Sequence, residues 1–285
     1  MEEKSNTHNR YNFQINRYLI LFVLIITSPI SNVRSQCLVN TNINAKQYDS
    51  KDNFMLSKHD RALFHTISKR FGVEELEGFY FKDDFNVDGI NNGNAIAYQP
   101  NEAPKNIIEF YGKNSFGYIG IGKNFANYLA FYDGKNYQLN YKYPFVIAHE
   151  CSHIVQNNWN RFYMKPKIVD SNNISIKHKE LNADYGAGLY FSVYLSNLWK
   201  KSQSGCDNDI SNCKFYTEYY RIISVVQDYV CQIGDDDTES IRHHGTCEER
   251  MSNFIQGLDK YRNSQRGSII DELERHLLKI STTNE

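Results

Sequence analysis

Two polar pairs, each embedded in apolar or small residues, constrain this 285-residue chain more than any other feature. The first is His149 and His153, within His149-Glu150-Cys151-Ser152-His153 and directly after the apolar run Phe145-Val146-Ile147-Ala148. The second is Glu180 and Asp184, within Glu180-Leu181-Asn182-Ala183-Asp184 and followed by the small residues Gly186, Ala187 and Gly188. Residues four apart share one face of a helix. Each pair therefore reads as a polar spot on a helix that must otherwise be buried. The small residues let the second helix approach the first closely. The competing reading of Glu180 and Asp184 is a solvated acidic face, and their small and apolar neighbours speak against it.

The chemistry of these residue types points to a metal. An H-E-x-x-H sequence on a helix brings two imidazoles to one ion. A catalytic zinc takes three protein ligands and keeps one position open. Glu180, 27 residues beyond His153, is expected to be the third ligand of a Zn2+ held by His149 and His153. Glu150 then stands beside that ion, where a carboxylate can take a proton from an acidified water as it attacks a carbonyl. Asp184 is expected to accept a hydrogen bond from the second ring nitrogen of a ligating histidine, fixing its tautomer. Cys151 lies two residues from His149, on roughly the opposite side of the helix. It reads as a buried inert thiol rather than a nucleophile or a ligand.

The rest of the chain changes period once. Leu63, Phe64, Ile67 and Phe71 recur at helical spacing and Gly72 ends that run. The segments GFYFKDDF, NAIAYQ, NIIEFY and GYIGIG are short, aromatic or β-branched, and separated by turn residues. They predict a small antiparallel sheet over 78–122. After 123 the pattern is helical, with helices expected at 144–158, 175–200, 214–232, 246–261 and 268–280. The fold class is α+β, a small antiparallel sheet followed by a helical bundle that carries the zinc site.

Charge and cysteines bound the setting. The net charge is −1 with acidic and basic residues interleaved, so nothing here neutralises a run of phosphates, and nucleic acid is excluded as a partner. Lys4, Arg10 and Arg17 precede an apolar run from Tyr18 to Ile26, and Val33 and Ser35 are small. This predicts a signal peptide over 1–35 and an exported, secreted or periplasmic protein. An uncleaved anchor is the alternative, and only then is a membrane a partner. Residues 36–55 read as an irregular entry segment. Six cysteines are present. Cys206 with Cys213 and Cys231 with Cys247 are the candidate disulfides, and no CxxC spacing signals a further metal or redox site.

HECSHIVQ followed by ELNADYGAG resembles the gluzincin pattern, H-E-x-x-H with a later E-x-x-x-D. More narrowly the chain is similar to the bacterial neutral zinc metallopeptidase family. That family's pattern runs H-E-x-x-H-x-x-Q, then E-L-Q-A-D-x-x-A-G, then I-G-D-D, then H-G-T-x-x-x-R-x-x-x-F-x-x-G. Here the later blocks read Ile233-Gly234-Asp235-Asp236 and His244-Gly245-Thr246, with Arg250, Phe254 and Gly257 in register. The blocks keep the family's order over residues 146–258. Asn182 replaces the family's Gln, a change expected to alter packing rather than the metal.

The resemblance implies a gluzincin or minigluzincin-like zinc metallopeptidase domain over 56–285, acting on a peptide or protein substrate. It implies an edge strand beside the active-site helix that holds an extended peptide, with NAIAYQ or GYIGIG in that place. It makes His244, which opens the last block, the first candidate to stabilise the oxyanion. Arg250 is second, unless it pairs with Asp235 or Asp236; His243, His178 and Tyr185 follow. The alternative to a working peptidase is a latent or non-catalytic zinc-site protein that binds a partner, with residues 37–55 available to cover the cleft.

Overall fold

The computed structural model of the chain describes residues 55–82, 95–112, 116–131, 141–162, 174–206, 213–233, 244–260 and 269–282. All belong to the unit that begins at Arg34. The leader expected over 1–35 and the entry segment, apart from Met55, lie outside the described residues, as do Asp235, Asp236 and His243. In order the elements are α1 (Lys58–Arg70), β1 (Glu77–Phe81), β2 (Ala95–Tyr98), α2 (Lys105–Tyr111), β3 (Tyr118–Gly122), α3 (Lys123–Phe131), α4 (Lys142–Phe162), α5 (Ile176–Cys206), α6 (Lys214–Ile233), α7 (Cys247–Leu258) and α8 (Ile269–Thr282). The architecture is α+β. Among the described residues no helix is long and apolar enough to cross a membrane.

The sheet corrects two expectations. It is mixed rather than antiparallel, in the order β1-β3-β2. β1 runs parallel to β3, with Phe79 opposite Gly120, while β2 runs antiparallel to it, with Ile96 opposite Gly120. A parallel pair needs a long crossover, and the chain between β1 and β3 supplies one. The second correction is NIIEFY, which forms α2. Its apolar run suits either period when read alone, and Pro104 at the N-cap together with Gly112 at φ 80° bounds a short helix. Ile107 of α2 joins Phe79, Phe81, Ala103 and Tyr118 in the sheet's core. Gly120 is needed where it stands, because a Cβ there would meet the Phe79 ring at 2.8 Å and the Tyr98 ring at 3.1 Å.

The helices match their expected places, each extended by a few residues at one or both ends or, for α7, slightly shorter. α4 packs on α5 and on β2. Phe145, one turn before His149, lies edge-on to Tyr229 of α6 and Phe254 of α7. This aromatic wedge fixes the start of α4. The small-residue stripe on α5 serves two neighbours rather than one. Gly186 faces α4, where a Cβ would fall 2.1 Å from the Ser152 hydroxyl, and α8, where it would meet Leu273 at 2.9 Å. Gly188 faces α7 instead: a Cβ would fall 2.1 Å from the Phe254 carbonyl, and one at Gly257 equally close to the Tyr185 carbonyl. Backbones in such contact cross only through glycine.

Cys231 at the end of α6 is disulfide-bonded to Cys247, the first residue of α7, with their Cα atoms 4.5 Å apart. Cys213 is also disulfide-bonded; the side chain of Cys206 lies outside the described residues. Cys151 is a free, buried thiol.

Candidate metal centre

α4 presents His149 and His153 on one face, as their spacing requires, and α5 brings Glu180 against both. The three polar ends converge. His149 Nε2 lies 3.1 Å from His153 Nε2 and 3.2 Å from one Glu180 carboxylate oxygen; the other oxygen lies 3.3 Å from His153 Nε2. Ligands held about 2.0–2.1 Å from a tetrahedral zinc stand about 3.3 Å apart. The observed separations are the edges of such a tetrahedron, so this buried group can hold a metal ion.

The electrostatics agree with that fit. Glu180 is 3% exposed, and burial alone would raise its pKa. The charge of His153 and hydrogen bonds from His149, His153 and His244 together outweigh burial and hold the carboxyl well below its ordinary range. Burial opposes a charge on His149, yet the bonds and charges of Asp184 and Glu180 push its pKa up to about 10. The buried Glu180 carboxylate thus demands positive charge at this point. A divalent cation supplies it without protonating the imidazoles, which must be neutral to ligate.

Each histidine has a backing group. His149 Nδ1 is 2.9 Å from Asp184 Oδ1, the contact expected from the sequence. Arg250 grips the same carboxylate through Nε at 2.7 Å and Nη2 at 2.9 Å. Arg250 and Asp184 are fully buried. The sequence did not assign this partner to Arg250. Arg250 is engaged with Asp184 and fully buried; Asp235 and Asp236, the partners its sequence position suggested, lie outside the described residues. His153 Nδ1 is 2.9 Å from Gln156 Oε1, on the same helix face three residues on. Gln156 in turn reaches Asn182 of α5, and Asn182 reaches His276 of α8.

Glu150 lies within electrostatic reach of His153, His149 and Glu180 and also meets β2. Its buried carboxylate accepts a hydrogen bond from the Ala97 backbone N–H. Burial, the largest influence, raises its pKa; the two histidines pull it down without cancelling that rise. Among the described residues β2 is bonded to β3 alone, and α4 packs against it. β3 is paired on both sides, which removes GYIGIG from the edge role and leaves NAIAYQ. His244 is brought to the cluster, with Nδ1 3.7 Å from Glu180 Oε1. Gly245, at φ 100°, turns the chain there, and Thr246 caps α7 with a reciprocal Glu249 bond. Tyr185 is directed elsewhere, stacked on His276 and donating to Glu272.

Sequence reasoning gave Gln156 only a place in a family pattern and Asn182 a packing role, and it singled out neither His276 nor Ala97. Gln156 was within reach, since a residue three beyond a ligand shares its face. The others are set by tertiary packing and left no local signal. No family model matches the chain, and neither a curated protein nor a solved structure matches it.

Proposed function

We propose that the chain is an exported zinc-dependent peptidase of gluzincin type, akin to the neutral zinc metallopeptidases, in which His149, His153 and Glu180 hold Zn2+ and Glu150 is the general base. One observation carries the reading: ligand set, spare carboxylate and open sheet edge meet at a single point on α4. A purely structural metal has no use for a buried carboxylate beside its ligands. Bound zinc supplies Lewis acidity and a water acidic enough to react near neutral pH. Glu150 takes the proton of the attacking water and delivers it to the leaving amine. Its raised pKa brings it closer to the working range of such a base. The outer edge of β2 offers backbone donors and acceptors to an extended peptide or protein substrate, which adds as a further strand. His244 is the residue we assign to the oxyanion. Export is supported by the charged and apolar N-terminus and by the Cys231–Cys247 disulfide, which suits an oxidising compartment.

Depth of burial favours a second reading, in which the same site is latent until opened. His149, Glu150 and Glu180 are all under 10% exposed, and a substrate needs a way in. Deleting residues 37–55 is expected to raise turnover if that segment is the cover.

The deciding experiment is digestion of a diverse peptide pool by the zinc-loaded chain and by Glu150→Gln and Glu180→Gln. Glu150→Gln should keep its metal and lose about 10²–10⁴-fold in turnover, the usual contribution of a general base. Glu180→Gln should lose the metal. Equal cleavage by wild type and a zinc-loaded Glu150→Gln would sink the peptidase reading.

A further inference from the structure

His153 is the end of a buried chain of hydrogen bonds that crosses three helices. Its Nδ1 meets Gln156 Oε1 at 2.9 Å. Gln156 Nε2 donates to Asn182 Oδ1 at 2.9 Å, and Asn182 Nδ2 reaches His276 Nδ1 at 3.1 Å. Gln156, Asn182 and His276 are all more than nine-tenths buried.

An amide can be turned end for end, so the direction of such a chain has to be argued. Two main-chain carbonyls settle it. Gln156 Nε2 also donates to the Lys179 carbonyl at 2.9 Å, and Asn182 Nδ2 to the Leu273 carbonyl at 2.9 Å. Each amide nitrogen therefore faces two acceptors, and flipping either amide would set oxygen against oxygen. With both orientations fixed, Gln156 Oε1 can only accept. The neutral, ligating form of His153 must therefore carry its proton on Nδ1, which leaves Nε2, directed at His149 and Glu180, free for the metal. At the far end, His276 Nδ1 faces an N–H and must accept. Burial, with the charges of Lys279 and Lys260, pushes the His276 pKa down to about 4 and keeps that nitrogen free of a proton at neutral pH.

α8 is seated by the same turn. Leu273 and Leu277 are fully buried, and Tyr185 stacks on His276 with ring centroids 3.9 Å apart and planes 2° from parallel. The Leu273 carbonyl and the His276 ring reach Asn182 only while α8 stays in that place.

We propose that Gln156, Asn182 and His276 are positioning residues that fix the metal-ligating tautomer of His153, and so couple metal affinity to the docking of the C-terminal helix α8. The inference rests on the metal-site reading and not on peptide hydrolysis.

Zinc affinity of the full chain, by competition with a chelator, tests it, with the visible spectrum of the Co2+-loaded protein as a second readout and the melting of the metal-free protein as a control of folding. Gln156→Ala should weaken zinc about 10–100-fold, the range for losing the outer partner of a ligating histidine. His276→Phe keeps a ring to stack on Tyr185 but has no acceptor; it should weaken zinc about tenfold, at the low end of that range, and shift the Co2+ bands. His276→Asn restores an acceptor at the Nδ1 position while emptying half the ring's volume, and should bind close to wild type. A packing role predicts the reverse order, because Phe fills the space better than Asn. His276→Phe binding like wild type, or His276→Asn binding worse than His276→Phe, would overturn the coupling. A wild-type chain that takes up no zinc would bring down the metal-site reading and the coupling with it, whereas a zinc-binding wild type matched by all three variants would bring down the coupling alone.

Discussion

The two histidines stand one turn apart on α4, yet what lies behind them is opposite in kind. His149 is backed by charge, a fully buried Asp184 carboxylate gripped by a fully buried Arg250. His153 is backed by neutral amides that lead to a neutral histidine. In the neutral, ligating form of each ring both arrangements give the same result at the centre, a proton held on Nδ1 and Nε2 left for the metal. They reach it at different risk. Charge-assisted bonds are shorter and stronger, but both ions had to leave water, and losing one strands the other. The amide chain carries no such penalty, but it works only while every amide keeps its orientation. One side is guarded by electrostatics and the other by geometry.

The charged side should break hardest. Arg250→Met leaves the Asp184 carboxylate buried with His149 as its remaining charged partner. Truncating one member of a buried pair costs about 3–5 kcal/mol, so denaturant unfolding of the metal-free variant should show a loss of that order. Gln156→Ala removes neutral hydrogen bonds and should cost about 1–3 kcal/mol. If the two losses come out alike, the contrast between the two sides is only formal.

The sequence exposed the side of the site built from local spacing. His149, His153, Glu180 and Asp184 follow from i, i+4 pairs, and their helices were readable to within a few residues. What escaped is non-local. Arg250 and Asp184 lie 66 positions apart, and nothing local joins them. Asn182 looked like a packing variant, because nothing local shows that its amide bridges α4 and α8. The parallel pairing of β1 with β3 is hidden for the same reason. α2 was misread because six residues are too few to separate a period of two from one of 3.6.

Acid should separate the two sides a second time. Asp184 is held below its ordinary 3.8, because Arg250 and His149 outweigh the effect of its burial. Its contribution is therefore intact above about pH 4 and is lost only as pH falls through the lowered value. His276 is shifted from 6.5 to about 4. Below pH 6.5 the unfolded chain takes up a proton that the folded chain refuses, so stability falls until pH reaches about 4 and then levels. The span of 2.5 pH units sets a ceiling of about 3 kcal/mol on that loss. Metal-free wild type should lose stability over this window, and His276→Asn should lose less. The groups facing His276 are Asn182, Tyr185 and the Lys260 and Lys279 ammoniums. Parallel curves for the two proteins would show that His276 does not carry the acid response.

The smallest effect concerns how the charged side is held in place. Arg250 projects from the first turn of α7, whose N-terminus is fixed twice: by the Thr246 and Glu249 capping box and by the Cys231–Cys247 disulfide. Thr246→Ala removes the acceptor for the Glu249 N–H at 3.2 Å and should cost about 0.5–2 kcal/mol; Thr246→Ser should restore it. Because the disulfide ties down the adjacent residue, the turn has little room to fray, and the loss should fall near the low end. Reduction removes that tether, so the penalty measured with and without a reductant should be larger in its presence. Fraying there frees Arg250 before anything on the amide side moves. His149, not His153, should then lose its alignment, and the zinc affinity of reduced Thr246→Ala should fall without the response to His276→Phe changing. Additive losses from that double change would keep the two supports independent, as the contrast requires; a strongly coupled loss would show that one frame carries both histidines.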